Sequence, residues 1–221
     1  MIVIALDGPA GAGKGEIGGR LCAHYKLAFL DTGALYRAVG RDALAGGVSL
    51  DDEAALEAVA QALDVATLDD PALRTVAVGE AASKVAALPR VRDALLKLQR
   101  DFAARPPGEV AGALLDGRDI GTVICPDADV KVFLTASPEE RARRRAAQLR
   151  AAGEEVDEAE LARSIAERDK RDAERTVAPM RPADDAVLLD TTDMSIDAAF
   201  EAARRLVDDA LARKRRDAAR P

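Results

Sequence analysis

The stretch Gly8-Pro9-Ala10-Gly11-Ala12-Gly13-Lys14-Gly15 decides the fold. It fits the pattern G-x-x-x-x-G-K of a phosphate-binding loop, in which backbone N–H groups, a helix N-terminus and a lysine surround phosphate oxygens. An apolar run at 2–6 comes before it, and Ile17, Leu21 and Tyr25 follow it at helical spacing. The segment therefore predicts a buried strand, a phosphate loop and a helix, with a nucleoside triphosphate as ligand.

The two residues after Lys14 depart from the commonest form of this loop. Gly15 stands where a Ser or Thr is usual, and this G-K-G form resembles nucleoside monophosphate kinases, in which a Thr comes next. Here the next residue is Glu16, whose carboxylate would repel a triphosphate unless a magnesium ion or water lies between them. The same carboxylate is a suitable ligand for Mg²⁺. We therefore expect Glu16 either to weaken ATP binding or to contact the ion directly.

Further strand candidates alternate with helix signals along the chain. They are the apolar segments 27–30, 110–115, 130–134 and 186–190. Helix start signals follow the last two, at Ser137-Pro138 and at Ser195. Alternating strands and helices indicate parallel pairing with right-handed crossovers. The prediction is an α/β fold of the P-loop NTPase type, with a parallel five-stranded sheet and flanking helices.

An Ala-rich segment separates the second strand candidate from the third. We expect one domain over 1–221, with a core of about 1–48 and 107–221 and a helical insertion at about 49–106. The basic C-terminal stretch 213–220 is interpreted as a solvated helix end.

Composition narrows the classes of function. The 221 residues include 32 Lys and Arg against 39 Asp and Glu, which gives a net charge of −7, and no Trp. This balance argues against a general nucleic-acid binder. No apolar run reaches the roughly 20 residues of a membrane span, and the N-terminus lacks a basic region and a cleavage site. We expect a cytoplasmic monomer that acts on small molecules, with no nucleic acid or membrane as partner.

The cysteines and the histidine of this sequence give little reason to expect metal or redox chemistry. Cys22 and Cys125 form no CxxC pair, so neither a disulfide framework nor a zinc site is predicted. His24, the only histidine, lies in the first predicted helix and is interpreted as structural. The sequence predicts no metal site made by protein residues alone.

Four further motifs follow the phosphate loop in order. They are D-T-G-A-L-Y-R (31–37), D-G-R-D-I-G-T (116–122), E-R-D-K-R-D (167–172) and R-T-V-A-P (175–179). Together with the loop they closely resemble the bacterial cytidylate kinase family, over nearly the whole chain. The resemblance implies ATP-dependent phosphorylation of CMP, and of dCMP, to the diphosphate by in-line transfer of the γ-phosphoryl group, within pyrimidine nucleotide metabolism. It also implies Mg²⁺ as cofactor, a monophosphate-binding insertion and a short lid at about 150–178.

The resemblance also implies roles for individual residues. Catalysis falls to Lys14, Arg118 and Arg175. Contacts to ATP fall to Gly8, Pro9, Ala10, Gly11, Ala12, Gly13, Lys14, Gly15, Glu16, Arg141 and Arg145. Contacts to CMP divide into the cytosine (Thr32, Arg92, Asp119), the monophosphate (Arg37, Arg118, Arg175) and the ribose (Ser83, Arg168, Asp172). The residue types suit these ligands, because a carboxylate and a guanidinium complement the cytosine edge and arginine binds phosphate with two donors.

Several interpretations stay open beside this one. Arg168, Arg171, Asp172 and Arg175 fall at i, i+3, i+4 and i+7 on one helical face, which by spacing alone favours an exposed, salt-bridged helix. The chain could phosphorylate another small acceptor, or Glu16 could leave a nucleotide-binding protein that transfers no phosphate. The insertion is shorter than the β-rich one of longer family members, which leaves the ribose contacts and the use of dCMP open.

Overall fold

Five strands form one sheet in the computed structural model, which describes residues 1–151 and 153–218. The strands are β1 (Ile2–Asp7), β2 (Leu27–Asp31), β3 (Gly112–Gly117), β4 (Val130–Thr135) and β5 (Val187–Asp190). Their order is β2-β3-β1-β4-β5, and every pairing is parallel. Each predicted strand is therefore confirmed, and with them the predicted fold class.

Helices connect the strands and cover both faces of the sheet. They are α1 (Lys14–Tyr25), α2 (Thr32–Ala45), α3 (Glu53–Gln61), α4 (Val76–Val85), α5 (Pro89–Ala104), α6 (Pro138–Ala151), α7 (Glu158–Glu174) and α8 (Ile196–Ala218). The predicted helix starts at Ser137-Pro138 and Ser195 agree with α6 and α8. Residues 213–218 continue α8, and the last part of the basic stretch lies outside the described residues. None of the described helices is long and apolar enough to cross a membrane.

Apolar side chains from the two faces of the sheet form two cores. Ile4, Leu6 and Leu114 point toward α1 and α8, whereas Ala5 and Leu115 point toward the helices of the other side. This alternation follows from the period of two along a strand. The sheet is therefore a buried middle layer, and its edges and the ends of its strands are the parts left to form a functional site.

The insertion between β2 and β3 is helical. It contains α3, α4 and α5, with two short 3₁₀ turns at Val65–Thr67 and Pro71–Arg74 in place of a longer addition. The side chains of Asp64 and Asp70 each accept a backbone N–H at the start of these turns. Residues 49–106 contain no strand.

The carboxyl ends of the strands bring the sequence motifs to one edge. Asp7 of β1 lies in register with Gly117 of β3, and Asp31 of β2 lies in register with Asp116. Ligands of open parallel sheets bind beyond this edge. The phosphate loop and the motifs at 31–37 and 116–122 consequently meet there, although they are distant in the chain.

Candidate active site

The phosphate loop joins β1 to α1 and requires glycine at its first position. Gly8 has φ +142°, and a Cβ added there would collide with the carbonyl oxygen of Leu134. Gly13 has φ +93° directly before α1 begins at Lys14. The loop therefore has the glycine-dependent backbone, followed by a helix N-terminus, that phosphate binding needs.

Lys14 is buried at the base of this loop and faces a carboxylate. Its Nζ donates to the Pro9 carbonyl at 3.0 Å and lies 3.6 Å from Oδ1 of Asp116. Burial lowers the pKa of Lys14 and raises the pKa of Asp116, while each charge favours the other. Added phosphate oxygens would favour the charged form of Lys14. Asp116 is missing from the predicted site residues, although its place at the end of β3, two residues before Arg118, is a usable signal.

The Glu16 carboxylate is directed to a partner on its own helix. Its Oε1 accepts from Nε of Arg20 at 2.9 Å, and its side chain is 59% exposed. Arg20 also donates to Asp197 of α8 at 2.6 Å. The expected repulsion of a triphosphate is therefore countered by an adjacent guanidinium, with which a magnesium ion would compete for the Glu16 carboxylate.

Replacement of Glu16 by Thr is accordingly expected to change the KM for ATP by less than about threefold, because exposed ion pairs are screened by water. The measurement is the KM for ATP at several Mg²⁺ concentrations, with Glu57→Gln in α3 as a control on another ion-paired carboxylate, which is partly buried beside Arg90. A tenfold fall in KM, or a large loss of ATP binding at saturating Mg²⁺, would show that Glu16 faces the triphosphate.

A cavity of about 410 Å³ lies beside the loop. Its lining contains Thr32, Gly33, Tyr36, Ala82, Ser83, Ala86, Arg92, Gly117, Arg118, Asp119, Arg168, Asp172 and Arg175. All of the predicted CMP-contacting residues except Arg37 are in this lining. Residues from α2, the insertion, β3 and α7 thus come together, which sequence spacing alone could not establish.

A buried pair of opposite charges forms one end of this cavity. Arg92 donates to Oδ2 of Asp119, and Nη2 of Arg175 lies 3.5 Å from Oδ1 of the same carboxylate. The guanidinium of Arg92 lies 5.6 Å from the ring centre of Tyr36. Burial raises the pKa of Asp119, and the neighbouring arginines Arg92 and Arg175 oppose that rise. The pair presents a carboxylate acceptor and guanidinium donors side by side.

Thr32 stands at the start of α2 with its hydroxyl already oriented. The hydroxyl is buried and donates to the carbonyl of Asp116 at 2.7 Å. Because its hydrogen is used in this bond, the oxygen remains an acceptor for a ligand donor. The predicted contact of Thr32 to the cytosine can therefore be made to a donor group of the base.

Unpartnered buried donors mark the polar side of the cleft. Among the described residues, Nε of Arg37, Nε of Arg168 and Nη2 of Arg175 are buried without a hydrogen-bond partner. Burial, and then the nearby charge of Arg118, lower the pKa of Arg168 to about 10. Buried donors without partners are costly in a protein interior. A bound anion would give a partner to Nε of Arg37 and Nε of Arg168, whereas Nη2 of Arg175 already lies 3.5 Å from the Asp119 carboxylate.

The remaining CMP-contacting candidates are held by contacts within the protein. Nε of Arg118 donates to Asp172 at 3.1 Å, and Nε of Arg171 donates to the Ser83 hydroxyl at 3.2 Å. Arg37 lies outside the cavity lining and pairs with Asp31, which also caps α2.

The helical face predicted for the lid ends one residue early. Helix α7 stops at Glu174, so Arg175 is extended, with φ −62° and ψ 141°. The prediction that Arg175 belongs to the helical face is wrong in this detail. Its guanidinium nevertheless reaches the cavity, where Nε donates to the Ala178 carbonyl at 2.5 Å.

The two arginines predicted for ATP lie on α6. Arg141 is buried, with Nη1 2.6 Å from Asp169 of α7 and 3.2 Å from the Ala10 carbonyl. Arg145 donates to the Arg74 carbonyl at 2.7 Å. Arg145 also lines a second cavity, of about 550 Å³, between the phosphate loop, α4 and α7. Arg168 lines both cavities, so the two adjoin.

The other chemically active side chains lie apart from this cleft. Burial raises the pKa of Cys22 to about 12 and the pKa of Cys125 to about 11, which removes both as nucleophiles at neutral pH. Cys22 is buried as expected, and Cys125 is partly buried. His24 is exposed and its ring packs edge-on against Tyr25, which agrees with a structural role.

A phosphate loop with a buried lysine, next to a cavity lined by arginines, defines a phosphate-loop kinase, an enzyme that transfers phosphoryl groups. The family model described as cytidylate kinase matches residues 4–209. The chain belongs to the cytidylate kinase family.

Individual relatives support this assignment. The cytidylate kinase of Brucella suis biovar 1 (strain 1330) is 53% identical over 213 residues, which cover 96% of this chain and 95% of that protein. Those of Rhodopseudomonas palustris (strain BisA53) and Methylocella silvestris are each 54% identical. The match to the Rhodopseudomonas palustris protein covers 94% of this chain and 96% of that protein. The match to the Methylocella silvestris protein covers 95% of this chain and 95% of that protein.

Solved structures share the fold at low identity. An uncharacterized protein from Eubacterium ventriosum superposes with a TM-score of 0.53 at 13% identity, covering 94% of this chain and 99% of that one. A sugar kinase from Janibacter sp. HTCC2649 reaches 0.50 at 16% identity, covering 94% and 95%. These similarities concern the fold alone.

Proposed function

We propose that this kinase transfers the γ-phosphoryl group of ATP to CMP and to dCMP, giving ADP with CDP or dCDP. The observation that carries the proposal is the buried Arg92–Asp119 pair in a cavity that is also lined by Arg118, Arg168 and Arg175. The ion pair matches a base with mixed donors and acceptors, and the arginines match a dianionic phosphate. The name shared by the relatives points to the same acceptor.

Base recognition follows from the polarity of the cytosine edge. Cytosine carries an amino donor at C4 and acceptors at N3 and O2, so Asp119 and Thr32 accept from the amino group while Arg92 donates to the ring. Uracil has a carbonyl where cytosine has the amino group. It would set an oxygen against the Asp119 carboxylate and leave a buried acceptor unmatched, which disfavours UMP.

The monophosphate is assigned to the arginines in and next to the cavity. Arg37, Arg118 and Arg175 supply charge-assisted donors, and Arg168 lies between the two cavities. A bound dianion would satisfy the free Nε atoms of Arg37 and Arg168. The acceptor phosphate would thus lie next to the cavity above the phosphate loop.

The ribose contacts are consistent with acceptance of dCMP. Asp172 and Ser83 already have partners in Arg118 and Arg171. A missing 2′-hydroxyl therefore leaves neither of them as an unpaired buried group, and the loss of affinity should be small.

Transfer needs positioning and charge rather than a covalent enzyme intermediate. An oxygen of the CMP phosphate attacks the γ-phosphorus in line, the bond to the β–γ bridging oxygen breaks, and ADP leaves. Lys14 and the arginines Arg118 and Arg175 stabilise the charge on the transferring group. Helix α7, with Arg141 and Asp169 joining it to the loop, excludes water and so limits hydrolysis of ATP.

Mg²⁺ fits this cleft as an ion that arrives with ATP. Among the described residues no group of three or more His, Cys, Asp or Glu could hold a metal on its own. Mg²⁺ is commonly bound through one or two carboxylates plus substrate phosphates, and the buried Asp116 beside Lys14 is suited to this role. When bound, the ion supplies positive charge at the β- and γ-phosphate oxygens.

A coupled assay of ADP release over CMP, dCMP, UMP and AMP tests the choice of acceptor. We expect kcat/KM for CMP and dCMP within about tenfold of each other, and both at least about a hundredfold above AMP. The kcat/KM for UMP should be lower than the kcat/KM for CMP and for dCMP. Equal or better turnover with UMP or AMP would contradict the proposed base recognition.

The alternative of a nucleotide-binding protein without transfer depends on Glu16. The Glu16–Arg20 pair argues against this alternative, because the carboxylate already has a counter-charge on its own helix. Measurable CDP formation in the same assay decides this point.

A further inference from the structure

A carboxylate outside the predicted site supports the segment that carries Asp119. Asp7 is buried at the end of β1, immediately before the phosphate loop. Its Oδ1 accepts the backbone N–H of Ile120 at 2.8 Å, and its Oδ2 accepts the N–H of Gly121 at 2.8 Å. Both oxygens therefore contact the backbone directly after Asp119.

The turn that begins at Ile120 needs such acceptors. Residues Ile120–Ile124 form one π-helical turn, in which the Asp119 carbonyl accepts from Val123 at 2.9 Å and from Ile124 at 3.2 Å. The first N–H groups of a helical turn have no partner within it. Asp7 supplies those partners from a strand that is more than one hundred positions away in the chain.

Asp119 occupies the position from which an aspartate commonly caps its own turn. Its side chain makes no capping hydrogen bond here. Instead its carboxylate contacts Arg92 and Arg175 at the end of the cavity. The capping function and the ligand-facing function are thus divided between two aspartates.

We propose that Asp7 is a positioning residue for base recognition: it caps the 120–124 turn in place of Asp119 and so keeps the Asp119 carboxylate in the cavity. This inference rests on the proposed function, because it assumes that Asp119 reads the cytosine. Burial raises the pKa of Asp7 to about 6, so the group is ionised near pH 8 and accepts at both oxygens.

Asp7→Asn tests the proposal with little change in shape. The amide retains one acceptor and presents N–H groups to the other backbone donor, so Asp119 is free to turn back and cap its own segment. We expect kcat/KM for CMP to fall at least about tenfold, mainly through KM, with the KM for ATP within about threefold of wild type. The ratio of kcat/KM for CMP to that for UMP should fall with it.

The double variant Asp7→Asn/Asp119→Asn separates positioning from general destabilisation. If Asp7 acts through Asp119, adding Asp7→Asn to the Asp119→Asn variant lowers kcat/KM for CMP by less than about a further threefold. The matched control is Asp129→Asn. Like Asp7, Asp129 accepts a backbone N–H, but its donor is Val3 at 2.7 Å, near the opposite end of β1. This control should keep the CMP-to-UMP ratio of wild type.

The outcomes are distinct. A wild-type enzyme that does not prefer CMP over UMP contradicts the proposed function. A wild type that does prefer CMP, with an Asp7→Asn variant of unchanged preference or with fully multiplicative losses in the double variant, overturns the role of Asp7. If the variant does not fold, amide exchange of Ile120 and Gly121 in the wild type decides: protection supports the contact, and exchange at the rate of an open loop overturns it.

Discussion

Lys14→Ala is expected to lower kcat by at least about a thousandfold, which corresponds to about 4 kcal/mol of transition-state stabilisation. Lys14 is the lysine of the phosphate loop, and its Nζ is buried between the Pro9 carbonyl and Asp116. Alanine removes the charge and leaves the Asp116 carboxylate beside the triphosphate. Steady-state kinetics with ATP and CMP measure the effect.

The fold should survive this change, because Lys14 is not one of the apolar side chains that form the two cores. Circular dichroism and thermal unfolding check this. Lys97→Ala is the matched control, since Lys97 is 82% exposed on α5 and pairs with Asp101 on the surface. Retention of more than about a tenth of the wild-type kcat in Lys14→Ala would show that the loop does not serve the transfer step.

Asp119→Asn is expected to lower kcat/KM for CMP by about a hundredfold, because the substitution removes an acceptor and leaves Arg92 without its counter-charge. The amide can donate to the carbonyl of uracil, so the fall in kcat/KM for UMP should be much smaller than the fall for CMP. The ratio of the two efficiencies is therefore the measured quantity.

Asp101→Asn is the control for this variant. Asp101 is also ion-paired, with Lys97 and Arg105, but on the exposed face of α5. An unchanged CMP-to-UMP ratio in Asp119→Asn, with normal folding, would mean that Asp119 does not contact the base.

The features that the sequence could predict share one property, which is that local residues determine them. Continuous apolar runs predicted the five strands, and the glycines before Lys14 predicted a loop that other residues cannot form. The observed strand order then places motifs that follow different strands at one edge, where they line a shared cavity.

The features that escaped prediction depend on partners distant in the chain. Asp7 contacts a turn 113 residues away, and nothing near it in sequence indicates that turn. The orientation of the Glu16 side chain depends on its contact with Arg20, which also donates to Asp197 of α8. The position of Arg175 depends on where α7 ends, a boundary that periodicity fixes only to within a few residues.

The central claim is that ATP and CMP exchange one phosphoryl group in this cleft. The most direct measurement is ³¹P NMR of the purified enzyme with ATP, Mg²⁺ and CMP, followed over time with CMP omitted as control. The account predicts equimolar ADP and CDP, with little inorganic phosphate and slow ATP loss in the control. ADP and inorganic phosphate without CDP would contradict it.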